Sequence, residues 1–295
     1  MSQNWQDDLP PADSFIIKDH YQMQELLDIL AFLRSDRGCP WDRAQTHATL
    51  RKNMLEEAYE AIDAVDSGDP ARLCDELGDV LMQVVFHAQM AREAGSFDMN
   101  DVISAICRKL ISRHTHIFGD DQAATPEAVI DTWEKNKRKE KGLHSQSQVL
   151  TDVPRSLPAL QRSYKVQQKA AQVGFDWDDA EGPRAKISEE LQEIGQCLAE
   201  NQQQVHSGDL TPEAADRRLA GEVGDLLFSV VNYARHLKVQ PEMALNSTTE
   251  KFIRRFTHLE EMVREHGHDL SEMSLSEMDR FWDQVKQEER AGLQP

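Results

Sequence analysis

The sequence lacks any run of about 18 apolar residues, so no stretch of it reads as a transmembrane helix. Its opening, MSQNWQDDLPPADSF, has neither the basic nor the apolar region of a signal peptide. Basic residues are few: 33 Lys and Arg stand against 52 Asp and Glu, a formal net charge of −19. That balance excludes broad binding to nucleic acid or to a membrane surface, which needs a basic patch. It still admits a small polyanionic substrate if a metal and local cations neutralise it. Cysteine is also scarce. Cys39, Cys74, Cys107 and Cys197 form no CxxC or Cys/His metal spacing, which implies reduced thiols and a cytoplasmic protein. No segment shows a convincing strand pattern, so the expected class is all-α.

What is present is acid in a repeated layout. Residues 189–200 read EELQEIGQCLAE, and residues 221–236 read GEVGDLLFSVVNYARH. Glu190 and Glu193 form one i, i+3 pair, and Glu222 and Asp225 form another, so on helices each pair shares a face. On the second helix Val223, Leu226, Leu227, Phe228, Val230 and Val231 cover most of the circumference. A polar stripe of Glu222, Asp225, Ser229, Asn232 and His236 interrupts them. An apolar surface that wide predicts a buried helix, and buried carboxylates need charge compensation. Two such helices, antiparallel and facing, bring four carboxylates together, a set that suits Mg2+ or Mn2+. A single such pair is more often an ordinary solvated helix face.

Repetition tells against that reading. Glu57, Glu60, Glu76 and Asp79 repeat the layout and predict a second metal site, with Gln83 and His87 on the polar stripe of the later helix. The correspondence continues through Lys109 and Arg113 with Lys251 and Arg255, Trp133 and Lys137 with Trp282 and Lys286, and Arg72 with Arg218. Cations at i, i+4 share a face and can grip phosphates, and a Trp beside them can stack on a base. The order predicts an N-terminal repeat over 19–138, a polar linker over 139–158 and a C-terminal repeat over 159–290. Helices are expected near 19–35, 46–65, 71–94, 98–116, 126–138, 160–173, 241–266 and 271–290, besides the acidic pair. A loose acidic leader precedes them, and Gly38-Cys39-Pro40-Trp41-Asp42 reads as a rigid turn whose Trp plugs a bundle end.

These residues make the chain resemble MazG, within the all-α nucleoside triphosphate pyrophosphatases. The signature EExxE…ExxD stands as Glu56-Glu57-x-x-Glu60…Glu76-x-x-Asp79 and as Glu189-Glu190-x-x-Glu193…Glu222-x-x-Asp225. GCPWD, DVPRSLPALQRSYKVQ, VGFDW and TEKFIRRF are also similar to the family. The resemblance spans about residues 20–290. It implies Mg2+-dependent hydrolysis of NTPs or dNTPs to the monophosphate and pyrophosphate, as nucleotide-pool house-cleaning. It carries metal binding onto Glu190, Glu193, Glu222 and Asp225, and implies catalytic roles for these and Glu189. Nucleotide contacts carry over onto Lys186, Ile187, Ser188, Glu189 and Glu190, onto Arg218, Leu219, Ala220 and Gly221, and onto Lys251, Arg255, Trp282 and Lys286. Where the family can have Lys before the second acidic cluster this chain has Arg218, which keeps the charge but changes its geometry.

Lys186 stands where the first half has Asn53, which points to the C-terminal half as the main active site. The shortage of helices in each half, together with the resemblance, implies a homodimer. A non-catalytic nucleotide- or metal-binding regulatory module is the main alternative. A narrower pyrophosphatase for one nucleotide is another. A di-iron bundle is disfavoured because no Glu-x-x-His falls at the matching positions.

Overall fold

The computed structural model describes residues 5–292, so the first four residues of the expected leader lie outside the described residues. Among the described residues there are thirteen α-helices and no strand. The chain divides between Lys137 and Arg138 into two units, each with its own core.

The first unit contains α1 (Met23–Arg34), α2 (Pro40–Ala44), α3 (Arg51–Ser67), α4 (Pro70–Glu93), α5 (Met99–Arg113), α6 (Thr115–Phe118) and most of α7 (Pro126–Glu140). Helix α3 ends at Gly68 with φ 68°, a left-handed position that Gly occupies without a Cβ penalty. Two residues later Pro70 opens α4, its fixed φ suited to a first helical position, while the Asp69 carboxylate accepts from the Ala71 N–H. This turn folds α4 back along α3. Leu30, Leu50, Val85, Phe86 and Met90 form the core between α1, the start of α3 and the later part of α4.

Arg34 fixes that arrangement. It is buried and forks onto Glu93, with Nε–Oε1 2.8 Å and Nη2–Oε2 2.7 Å. Its Nη1 donates to the carbonyls of Asp42 and Gln45, and its guanidinium lies over the Phe86 ring. A buried Arg is tolerable here because its charge is matched bidentately.

The second unit continues with α8 (Gln146–Thr151), α9 (Ala159–Ala171), α10 (Glu181–Ser207), α11 (Pro212–His236), α12 (Pro241–Glu265) and α13 (Leu275–Arg290). The hairpin chemistry repeats. Helix α10 ends at Gly208 with φ 82°, and α11 opens with Thr211 as N-cap and Pro212 behind it. Helix α9 packs across α11, and Leu259, Met262, Val263 and Val285 join α12 to α13.

Several expectations change at this level. The segment read as a polar linker holds α8, started by a Ser145–Gln148 capping box and packed on α9, and Val153 just beyond it is buried. One helix was expected over 98–116. The backbone breaks at His114 instead, so α5 and α6 are separate. Trp41 does not plug a bundle end; it is exposed. Helix α11 is not buried all round. Val231 is buried, but Val223, Leu227, Phe228 and Val230 are exposed, Leu227 at 51%. The width of its apolar surface exceeds what one chain covers.

Candidate active site

Helices α10 and α11 lie side by side and carry the four acids of the second repeat on facing surfaces. Carboxylate oxygens of Glu190, Glu193 and Glu222 all lie within 4.8 Å of one another. Glu190 is only 4% exposed, unusual for a carboxylate. Asp225, one turn beyond Glu222, is not in that group of three but lines the same cavity as Glu190.

Lys186 compensates the buried charge. Its Nζ lies 2.8 Å from Glu190 and 3.0 Å from Glu189, one turn along α10. Those two hydrogen bonds, Glu190 first, push the Lys186 ammonium above the usual lysine range. Glu193 is held above the ordinary carboxylate range, first by its hydrogen bond with Glu190 and then by burial, with Lys186 opposing. Carboxylates this crowded favour anything positive placed among them. An all-carboxylate set with one buried member fits a hard divalent cation, and no sulfur or imidazole is among its members.

The first unit makes a similar cluster. Oxygens of Glu57, Glu76 and Asp79 lie within 4.8 Å of one another on α3 and α4. Glu60 is outside that group, and burial followed by the nearby Glu76 raises its carboxyl. Arg72 lies 3.8 Å from Glu76. Gln83, buried, extends its Nε2 to within 3.4 Å of Glu57. His87 pairs with His47, with Nδ1–Nδ1 2.7 Å.

Around the second cluster a cavity of about 450 Å³ opens. Its apolar wall includes Val166, Phe175, Trp177 and Phe228, and its polar wall includes Gln167, Ser229, Asn232 and Arg235. The Phe175–Trp177 turn is tied to the end of α11 by Asp176, which binds Arg235 through both oxygens and His236 Nε2 at 3.0 Å. Burial alone would raise the Asp176 carboxyl. The bonds from Arg235 and His236 outweigh it and hold the group below its usual range. The indole of Trp177 lies so close over Gly182 that a Cβ there would fall 2.1 Å from Trp177 Cδ1. Only glycine admits this approach.

The remaining expected contacts are distributed differently. Glu189 and Ser188 are exposed beside Lys186, and Ile187 is half-buried. Leu219 is half-buried, and Ala220 and Gly221 are exposed, on the turns of α11 before Glu222. Arg218 does not reach Glu222. It pairs with Glu200 at 3.1 Å and with Gln204 at 3.0 Å, across the hairpin toward the far end of α10. Arg255 is paired with Glu289, and Lys286 with Asp283 at 2.7 Å. Trp282 packs on Phe252 with ring centroids 5.3 Å apart and joins the α12–α13 core. Among the described residues, no hydrogen bond, ion pair or ring contact links Lys251, Arg255, Trp282 or Lys286 to the acid cluster. In the first unit Arg113 is buried over the Trp133 ring at 5.3 Å, so it is not an exposed phosphate grip.

Sequence reasoning missed Gln167, which sits on a helix with no acid and becomes part of the site only because α9 crosses α11. Ser229 and Asn232 were visible as the polar stripe.

Two residue ranges, 45–118 and 180–260, match the model of the MazG nucleotide pyrophosphohydrolase domain. The chain belongs to the MazG family. Both matched ranges hold one acid cluster, so the family domain is present twice. The Thermotoga maritima protein named nucleoside triphosphate pyrophosphohydrolase/pyrophosphatase MazG is 43% identical over 89% of this chain and 95% of its own length. The nucleoside triphosphate pyrophosphohydrolase of Escherichia coli K12 is 43% identical over 91% of this chain and 98% of its own length. Protein YabN of Bacillus subtilis is 41% identical over 92% of this chain, which corresponds to 53% of that longer protein. As a MazG protein the chain is a pyrophosphohydrolase of all-α architecture. No helix among the described residues is long and apolar enough to cross a membrane.

Proposed function

We propose that this MazG protein hydrolyses nucleoside triphosphates, NTP or dNTP, to the monophosphate and pyrophosphate at the α10–α11 site, with Mg2+ as cofactor and Mn2+ as its substitute. The observation that carries this reading is the buried Glu190, clustered with Glu193 and Glu222 and seated against Lys186. Glu190, Glu193, Glu222 and Asp225 would hold a divalent cation, which would neutralise charge on the triphosphate and lower the pKa of an attacking water. Lys186, already at the edge of the cluster, moves from Glu189 and Glu190 to phosphate oxygens and stabilises charge on the leaving pyrophosphate. Glu189, which is exposed beside Lys186, or one of the clustered carboxylates orients the attacking water.

The exposed apolar positions suit a homodimer. Leu191 and Leu198 on α10, Val223, Leu227 and Val230 on α11, and Phe252 and Phe256 on α12 all face solvent. Each set recurs at helical spacing, so each forms a stripe rather than scattered residues. We place the protein in the cytoplasm, with nucleotide-pool house-cleaning as its role and no nucleic-acid or membrane partner.

The test is pyrophosphate release from the eight common NTPs and dNTPs, with Mg2+ and with EDTA. Magnesium-dependent formation of monophosphate and pyrophosphate supports the reading. Orthophosphate as product moves the cleaved bond and sinks it. Binding without turnover favours the regulatory-module alternative.

A further inference from the structure

We propose that His47 and His87 share one proton in a head-on N–H···N hydrogen bond, and that a second proton breaks it, so that the connection between α2 and α3 is a latch that opens on acidification. The latch belongs to the first unit and uses none of the residues assigned to hydrolysis.

Geometry carries it. The two Nδ1 atoms are 2.7 Å apart, the ring centres are 5.0 Å apart and the ring planes differ by 6°. Rings lying face over face do not bring two nitrogens so close without a clash. With the centres this far apart, both nitrogens lie close to the line that joins them. The rings therefore meet edge to edge in nearly one plane, the lone-pair direction of each Nδ1 aimed at the other. At that distance one nitrogen carries hydrogen and the other accepts. One added proton makes the pair imidazolium and imidazole, and the charged donor strengthens the bond. Two added protons put hydrogen on both nitrogens. No acceptor is left, and two like charges face each other. The pair titrates as a unit with a place for one extra proton, not two.

The surroundings do not relieve the second charge. Among the described residues neither ring has an ion pair or a further hydrogen bond. One turn from His87 on α4 stand Gln83, Val84, Met90 and Ala91, none of which titrates. The charges on the packed elements are engaged elsewhere or exposed: Arg34 of α1 binds Glu93, Glu57 of α3 meets Gln83, Arg43 of α2 pairs with Asp36, Asp98 and Asp101 cap the start of α5, and Arg51 is exposed. Burial first, and then the charge of His47, hold His87 below the usual histidine range. The latch is therefore complete above that range and is lost as pH falls below it.

What it holds is also defined. The Gln45 carbonyl is gripped by Arg34, and Leu50 is buried in the core with Val85 and Phe86. Between these anchors Thr46 and Thr49 bond only within the connection. The His47–His87 bond ties this stretch to α4. His47 is exposed and His87 half-buried, so His47 is the ring that leaves.

The experiment is an NMR titration of the full-length protein with 15N-labelled histidine, in EDTA so that no metal ion occupies the pair. The wild type is expected to show a scalar coupling between the two Nδ1 nuclei and two titration steps roughly one pH unit or more apart. The coupling should vanish over the lower step. Amide exchange of residues 46–49, corrected for its intrinsic pH dependence, should rise roughly tenfold over that same step. His47→Asn places an amide where Nδ1 was, and an amide can offer hydrogen or oxygen to His87. It is expected to keep 46–49 protected across the whole range while His87 titrates in a single step. Absence of the coupling, or both wild-type rings titrating independently at the ordinary histidine value, overturns the shared proton. Protection of 46–49 that ignores pH in the wild type, or falls with pH in His47→Asn as it does in the wild type, overturns the latch.

Discussion

The two repeats carry the same acids in the same order, but Glu57, Glu76 and Asp79 cluster in the first unit and Glu190, Glu193 and Glu222 in the second, and the surroundings differ. In the second unit Lys186 sits against buried Glu190; the equivalent place in the first is Asn53, which offers no charge. Seven residues beyond Glu222 is Ser229, whose short side chain lines the cavity. Seven beyond Glu76 is Gln83, whose amide reaches Glu57. On the proposed function, the acids would define where a cation binds and the residues one or two turns away would decide whether a nucleotide joins it, which is why the proposal assigns catalysis to the second unit.

The largest effect should come from making the second site resemble the first. Lys186→Asn with Ser229→Gln removes the phosphate cation and fills the cavity wall. The double variant is expected to lose 100-fold or more in kcat/KM for ATP, a loss of about 2.7 kcal/mol in transition-state stabilisation. Ser229→Gln alone is expected to cost roughly tenfold, chiefly in KM, because it takes space rather than charge. The reverse change, Gln83→Ser in the first unit, is expected to leave kcat/KM within about twofold. A large loss from Gln83→Ser would place the working site in the wrong unit.

The acids themselves were legible in the sequence. Their spacing of three shows a shared helix face, and their duplication separates them from solvated surface charge. The first hairpin turn was legible through Gly68 and Pro70; the second was not, because polar residues continue both helices to within a few residues of Gly208. The cavity was not, because it depends on Gln167 meeting the Phe228 carbonyl across 61 residues of chain. Nor was the exposure of α11. Sequence hydrophobicity registers that a surface avoids water but not whether the same chain or another covers it. Arg218 illustrates a third limit. Its spacing to Glu222 matches that of Arg72 to Glu76, yet a long side chain on a hairpin can reach across, and here it joins Glu200.

A smaller effect concerns pH. Glu193 and Glu60 both have raised carboxyls in the folded chain. A raised carboxyl binds its proton more tightly folded than unfolded. Its contribution is therefore complete below the unfolded value and is lost as pH rises through the folded one. A cation competes with that proton. Scanning Tm with and without Mg2+ should show the metal-free protein losing stability as pH rises above the usual glutamate range, with a Mg2+-induced rise in Tm that grows over the same interval. A Mg2+ effect independent of pH would contradict carboxylate ligation.

The smallest effect expected is from Asp176→Asn, which weakens the tie from the aromatic turn to Arg235 and His236. KM should rise a few-fold with kcat nearly unchanged, since the residue positions the cavity wall and touches no phosphate.

The central claim is tested most directly by pyrophosphate release from ATP in Mg2+ by Glu193→Gln and Glu60→Gln, measured side by side. Glu193→Gln is expected to fall 100-fold or more below wild type, and Glu60→Gln to stay within about threefold. Equal losses, or a larger loss in Glu60→Gln, would contradict the assignment of catalysis to the second unit.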